Sequence, residues 1–171
     1  MREAATATSY FTKAIKQSKA AQQLAYQLNK AYRLGLGKPF PQGRYKNLKT
    51  HQLESIRPMG RYTLVEFWWS GCGICLQHIP QLRNLHRDYA KKGFAIIGIS
   101  TDKTQQLPQL EKLLQKYGFN WPEYLDENRV NADQNGVLFY PTYLLLDASG
   151  SIVNNHVRLS ELPAFLEKQL N

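Results

Sequence analysis

Eight consecutive residues, Tyr62 to Trp69 (YTLVEFWW), are almost wholly apolar, β-branched or aromatic, and Ser70-Gly71 follows at once. A run this short, bounded by turn residues, reads as a strand buried on both faces. Such a strand needs helices packed over its sheet, so this one segment selects an α/β architecture. The neighbouring segments fit. Residues 72–91 read as a helix that begins at the cysteines and carries Pro80, which should kink it. Phe94–Ser100 (FAIIGIS) is a second buried strand, and a helix is predicted from Leu107 to Tyr117 with Pro108 in its first turn. Residues 121–137 read as a short helix or loops. Thr142–Leu146 and Ile152–Val157 are predicted strands joined by a turn at Asp147-Ala148-Ser149-Gly150, and Leu159–Leu170 is a closing helix capped by Ser160. The order predicts a mixed sheet flanked by helices, parallel at its centre and antiparallel at one edge.

The 171 residues suit one domain with an appended arm. Residues 1–36 read as that arm and 37–171 as the globular unit. Within the arm, residues 9–34 have helical periodicity: Tyr10, Ala14, Ala21, Leu24, Leu28 and Tyr32 share one stripe. Thr8 or Ser9 can cap its start, and Gly35, Gly37 and Pro39 can stop it. Residues 42–61 leave two readings open, a loop or a short strand pair with its turn at Pro58-Met59-Gly60.

Charge is unevenly spread. Residues 1–61 carry 12 Lys/Arg against 2 Asp/Glu, a net of +10, while residues 62–171 carry 10 against 11, a net of −1. Nothing in the basic part has the spacing of a nucleic-acid-binding motif, so nucleic acid is not an expected partner. The basic amphipathic helix can pack on its own domain, meet a partner or lie on a membrane surface. No apolar run approaches the roughly 18 residues a transmembrane helix needs, and residues 1–10 lack the apolar core of a secretory signal.

The chain has two cysteines, Cys72 and Cys75. One bridge closing so short a loop cannot staple a fold, so the pair points to chemistry. Cys72 falls where a buried strand turns into a helix. Free N–H groups and the positive end of the helix dipole favour thiolate there. Gly71 and Gly73 should leave Cys72 open, and Cys75, one turn further in, should be buried. Cys72 is then the nucleophile toward a substrate disulfide and Cys75 the resolving thiol.

Strand, turn and helix in FWWSGCGIC resemble the active site of the thioredoxin fold. Residues 35–171 more narrowly resemble the TlpA/ResA/DsbE family of thiol–disulfide oxidoreductases. The likeness is carried by LGKPFP, the aromatic pair before the cysteines, Pro80, GISTD, YPT and LLDASGSIV. It implies a thioredoxin-like α/β fold, protein thiol or disulfide substrates, a partner that recycles the cysteines, and no cofactor beyond the pair itself. It implies that Pro141 is a cis proline facing the cysteines and that Trp69 flanks the site, where it meets the substrate or packs; Gly73 and Ile74 are expected at the substrate surface, and Tyr140, bulkier than the family's usual residue, narrows the groove or packs. It also points to a periplasm or cell envelope, with the cytoplasm as the alternative. A reductant is the direction expected.

Three departures from the family pattern matter. His78 stands where the family often has Glu, on the same helix face as Cys72 and Cys75, and can take a proton near neutral pH. Glu66 occupies the strand position of a buried acid or amide; beneath Cys75 it would handle protons, and facing outward it would do nothing. Gly73-Ile74 brings neither rigidity nor charge between the cysteines. Two rival readings remain: zinc held by Cys72, Cys75, His78 and one further ligand, and a module on the same fold that binds a partner or a metal without turnover. A peroxidase of the peroxiredoxin type is disfavoured, because the proline and threonine ahead of its cysteine are missing.

Overall fold

The computed structural model describes residues 18–170. At its centre lies β3, Tyr62–Trp68, the run from which the architecture was read. It pairs in parallel with β4, Phe94–Ser100, and antiparallel with β6, Thr142–Asp147. On the β4 side the sheet continues through β5, Glu123–Leu125, β1, Tyr45–Asn47, and β2, Leu53–Glu54; β7, Ile152–Asn154, closes the β6 side. The order is β2-β1-β5-β4-β3-β6-β7, with the parallel strands in the middle. The helices are α1, Lys19–Arg33, α2, Gly73–Tyr89, α3, Leu107–Tyr117, α4, Val130–Gln134, and α5, Leu162–Leu170.

Alternation along β3 divides the core. Val65 and Phe67 pack with Ile97, Ile99, Leu144 and Leu146 on one face, under Leu34 and Phe40 from the segment that leads out of α1. Leu64 faces the other way, with Ile96, Leu145, Leu82 and Leu85 of α2, and Leu162 and Leu166 of α5. At the carboxyl end of β3 a third cluster joins Trp68, Cys72, Cys75, Leu110 and Leu125. The cysteines thus sit where open α/β sheets place their sites, beyond the carboxyl ends of parallel strands.

Several boundaries differ from the sequence reading. One helix across 9–34 is not formed, because Ser18 is extended (ψ 148°) and caps α1 by accepting from Ala21 N–H at 3.2 Å. The expected cap at Thr8 or Ser9 lies outside the described residues. Leu24, placed on the apolar stripe, is 53% exposed. The segment 42–61 does form a strand pair, but its turn falls between Asn47 and Leu53, where Asn47 Oδ1 accepts from the N–H groups of Lys49 and Thr50. β7 stops at Asn154, and α5 starts at Leu162 after a turn in which the N–H groups of Glu161 and Leu162 both reach the Arg158 carbonyl. α2 runs through Pro80, which is exposed.

Candidate active site

Cys72 caps α2 in an extended conformation, and its Sγ accepts from Cys75 N–H at 3.2 Å. That N–H is one of the groups a helix start leaves unpaired, and it supports negative charge on Cys72 sulfur. The two cysteines are disulfide-bonded, with Cα atoms 5.3 Å apart. Cys75 is 1% exposed, as expected. Cys72 is less open than its glycine neighbours suggest, at 6%. Trp69 packs against the cluster that holds Cys72, and its ring lies over Gly71 so closely that a Cβ there would overlap it. Gly73 has nothing within 4 Å of where a Cβ would stand, and Ile74 is 52% exposed, so the approach to the pair is from their side.

A buried carboxylate fixes the turn. Asp102, fully buried just past β4, accepts from Ser70 N–H at 2.9 Å, from Ser70 Oγ at 2.5 Å and from Ser100 Oγ at 2.6 Å. Thr101 N–H reaches the Trp68 carbonyl at 2.9 Å, so the end of β4 holds the turn from both sides.

Opposite this turn the Tyr140–Pro141 peptide is cis. Tyr140 packs against the cysteine cluster, and its hydroxyl lies 2.8 Å from Thr101 Oγ1. Leu138 and Phe139, just before it, are 73% and 67% exposed. Trp69 and Tyr140 share a cavity of about 280 Å³ with Thr101, Lys103, Gln106 and Arg129, and the Arg129 guanidinium lies 5.1 Å from the Tyr140 ring centre.

Glu66 is buried, 2% exposed, on the sheet face that α2 covers. Burial pushes its carboxyl up to about 8, against a hydrogen bond from Tyr143 that pulls the other way. That bond, Tyr143 Oη to Glu66 Oε1, is 3.1 Å. The same hydroxyl lies 3.0 Å from Nδ1 of His78. His78 therefore turns toward Tyr143 and is joined through it to Glu66.

Sequence reasoning missed a second buried acid. In the sheet register Glu66 lies beside Gly98, and Gly98 beside Glu123. Gly98 has no side chain, and the Glu123 carboxyl fills the place where one would stand. Glu123 Oε2 accepts from Trp68 Nε1 at 2.9 Å and Oε1 from Trp121 Nε1 at 2.7 Å. Burial and the nearby Glu66 hold Glu123 well above the usual carboxylate range. Two clues were legible: a lone glycine inside the strand FAIIGIS, which marks a close approach, and a single acid bracketed by Trp121 and Tyr124. Tyr143, read only as a strand residue, was missed as well.

Among the described residues no group of three or more His, Cys, Asp or Glu could hold a metal ion. The donor set of the zinc reading is otherwise engaged, the sulfurs with each other and His78 Nδ1 with Tyr143.

The model of the AhpC/TSA family matches residues 36–155. The chain belongs to that family. Thioredoxin-like protein YneN of Bacillus subtilis is 30% identical over 122 residues, 71% of each chain. Thiol-disulfide oxidoreductase ResA of Bacillus anthracis is 24% identical over 139 residues, 80% of this chain and 79% of its own. Among solved structures, the thioredoxin domain of a thiol-disulfide oxidoreductase from Bacteroides vulgatus superposes with a TM-score of 0.70 at 28% identity, covering 80% of this chain and 99% of that one. A thiol:disulfide interchange protein from Bacteroides sp. gives 0.69, also at 28% identity, covering 80% and 91%. The thioredoxin-like fold, the family and the bonded Cys-X-X-Cys pair agree: this is an enzyme of thiol–disulfide exchange whose redox group is the cysteine pair itself.

Proposed function

We propose that the chain is a reductant of protein disulfides in the cell envelope. Cys72 attacks the client disulfide, and the client's first sulfur leaves as thiolate. Cys75 then attacks Cys72 in the mixed disulfide, the second client thiolate departs, and two electrons have passed to the client. The observation that carries this reading is the bonded pair at the start of α2, with Cys75 N–H aimed at Cys72 Sγ. The reducing direction is supported by what surrounds the pair. A strong oxidant needs a stabilised thiolate. Here Ile74, between the cysteines, offers no charge to such a thiolate.

Trp69, Gly73, Ile74, Tyr140 and Pro141 form the client surface in this reading, with the exposed Leu138 and Phe139 extending it. Glu66 and His78 handle protons. The envelope location is supported by the resemblance to ResA- and DsbE-type proteins; no helix among the described residues is long and apolar enough to cross a membrane. Residues 1–36 are an arm ahead of the redox unit, a division supported by the family match beginning at residue 36.

Reduction of insulin disulfides by the pre-reduced protein tests the reading. Wild type should turn over with a recycling thiol, and Cys72→Ser should lose at least about a hundredfold in rate. A Cys72→Ser protein as fast as wild type would overturn it.

A further inference from the structure

The mixed-disulfide step leaves one proton to be disposed of. Cys75 must lose its S–H proton before it can attack, and the thiol lies in an apolar cluster, 1% exposed. Cys72, in the same cluster, is itself only 6% exposed. Three side chains offer another way out. Glu66 lies under α2; Tyr143, directly opposite it on β6, donates to Glu66 Oε1 at 3.1 Å; and His78 Nδ1 lies 3.0 Å from the same hydroxyl. Exposure rises along this line: Glu66 is 2% exposed, Tyr143 7%, and His78 is only half-buried.

We infer that Glu66, Tyr143 and His78 form a proton conduit that carries the Cys75 proton from the buried sheet to solvent, with Tyr143 as its positioning residue. The inference rests on the exchange chemistry proposed above. Tyr143 has one hydroxyl proton, which fixes the order of events. When Glu66 is ionised, Tyr143 donates to it and accepts from His78 Nδ1–H. When Glu66 has taken the Cys75 proton, and His78 has given up its Nδ1 proton and gained one on Nε2 by exchange with water, the line reverses: Glu66 donates to Tyr143, and Tyr143 donates to the bare Nδ1. Transfer breaks the Glu66 O–H bond, forms a new O–H bond on Tyr143, and moves Tyr143's own proton to Nδ1. His78 then releases its Nε2 proton to water and is left as the other neutral tautomer. One proton enters and one leaves, and Glu66 returns to the ionised form in which it began.

The groups that face Glu66 agree with this assignment. From β5, Glu123 lies across Gly98, with both its oxygens held by the indole N–H groups of Trp68 and Trp121. From β6 comes Tyr143, bonded to Glu66 Oε1, and from α2 His78 reaches the same hydroxyl. Glu66 in turn helps hold Glu123 above the usual carboxylate range. Of these neighbours, Tyr143 alone bonds both Glu66 and a group that reaches the surface.

The test is stopped-flow resolution of a mixed disulfide between Cys72 and a client peptide, followed from pH 5 to 9 in wild type, Tyr143→Phe, His78→Ala and the double variant. Phenylalanine keeps the ring that packs in the core and removes only the hydroxyl. Each single variant should slow resolution about tenfold near pH 7 and flatten its pH profile, and the double variant should be no slower than either. Added imidazole should restore His78→Ala, but not Tyr143→Phe. Alkylation of Cys72 in the reduced protein should keep its rate in all of them. Single variants with the wild-type rate and profile, or losses that multiply in the double variant, would overturn the conduit. If Tyr143→Phe does not fold, His78→Ala decides: a slow rate restored by imidazole supports the conduit, and a wild-type rate ends it. A wild type unable to form or resolve the mixed disulfide would instead overturn the oxidoreductase reading.

Discussion

Glu66 sits in a strand whose other members are almost all apolar, and its environment sets how the molecule responds to pH. A carboxyl raised from near 4.5 to about 8 binds a proton in the folded state that the unfolded chain has already lost over that window. The stability it leaves intact is fully present below about 4.5 and is lost as pH rises through about 8. Glu123 is raised for the same reason and adds to the trend. Glu66→Gln removes the ionisation and keeps the acceptor for Tyr143. Urea unfolding should therefore show the variant more stable than wild type at pH 9, by on the order of 4 kcal/mol, and little different at pH 5. Equal slopes against pH in the two proteins would contradict this placement of Glu66. Alternation along β3 put Glu66 on one face but could not say which face α2 covers. The partner that links it to His78 stood out of sight because Tyr143 comes from a strand 77 residues away.

The elements most legible in the sequence were those whose pattern is uniform. β3, β4 and β6 are buried on both faces and read as continuous apolar runs, and α3 has its proline in the first turn and a left-handed Gly118 at its end. β5 was hidden because one of its three residues is Glu123, an acid whose carboxyl fills the space left by a glycine in the neighbouring strand. The turn of the β1–β2 pair was misplaced because Pro58-Met59-Gly60 looks more turn-like than the Asx turn at Asn47 that forms. At the candidate site, the spacing of the cysteines was legible in the residues themselves, and the cis peptide before Pro141 only through the family resemblance. The contacts of Asp102 were not, because they join the end of β4 to the turn after β3. Those contacts yield a prediction on this scale. Asp102→Ala leaves the N–H and hydroxyl of Ser70 and the hydroxyl of Ser100 without their acceptor. We expect a loss of about 3 kcal/mol in denaturant unfolding. Exchange activity should fall as well, because the turn that carries Cys72 is loosened.

On the scale of the whole molecule, the chain joins a strongly basic first third to a near-neutral redox unit. The two are tied by the segment after α1. Leu34 is buried and its carbonyl accepts from Asn155 Nδ2 at 2.9 Å; Gly37 N–H reaches the Ile152 carbonyl, Phe40 N–H the Gly150 carbonyl, and Phe40 packs on Phe67. Up to Arg33, α1 contributes exposed residues such as Leu24 and Tyr26. Removal of residues 1–33 should leave the unfolding free energy within about 1 kcal/mol of the full chain's, and removal through Phe40 should cost about 3–5 kcal/mol. Equal losses for the two truncations would mean that α1 itself supports the fold.

The central claim is that Cys72 and Cys75 are a redox couple poised to deliver electrons. The most direct test is their reduction potential, obtained by equilibrating the protein with thiol redox buffers and trapping the free thiols. A site without stabilising charge around its thiolate should lie near thioredoxin, at about −270 mV. A potential of about −120 to −180 mV would mark an oxidant or isomerase and contradict the direction proposed here, and failure to form the disulfide at any poise would contradict the redox reading itself.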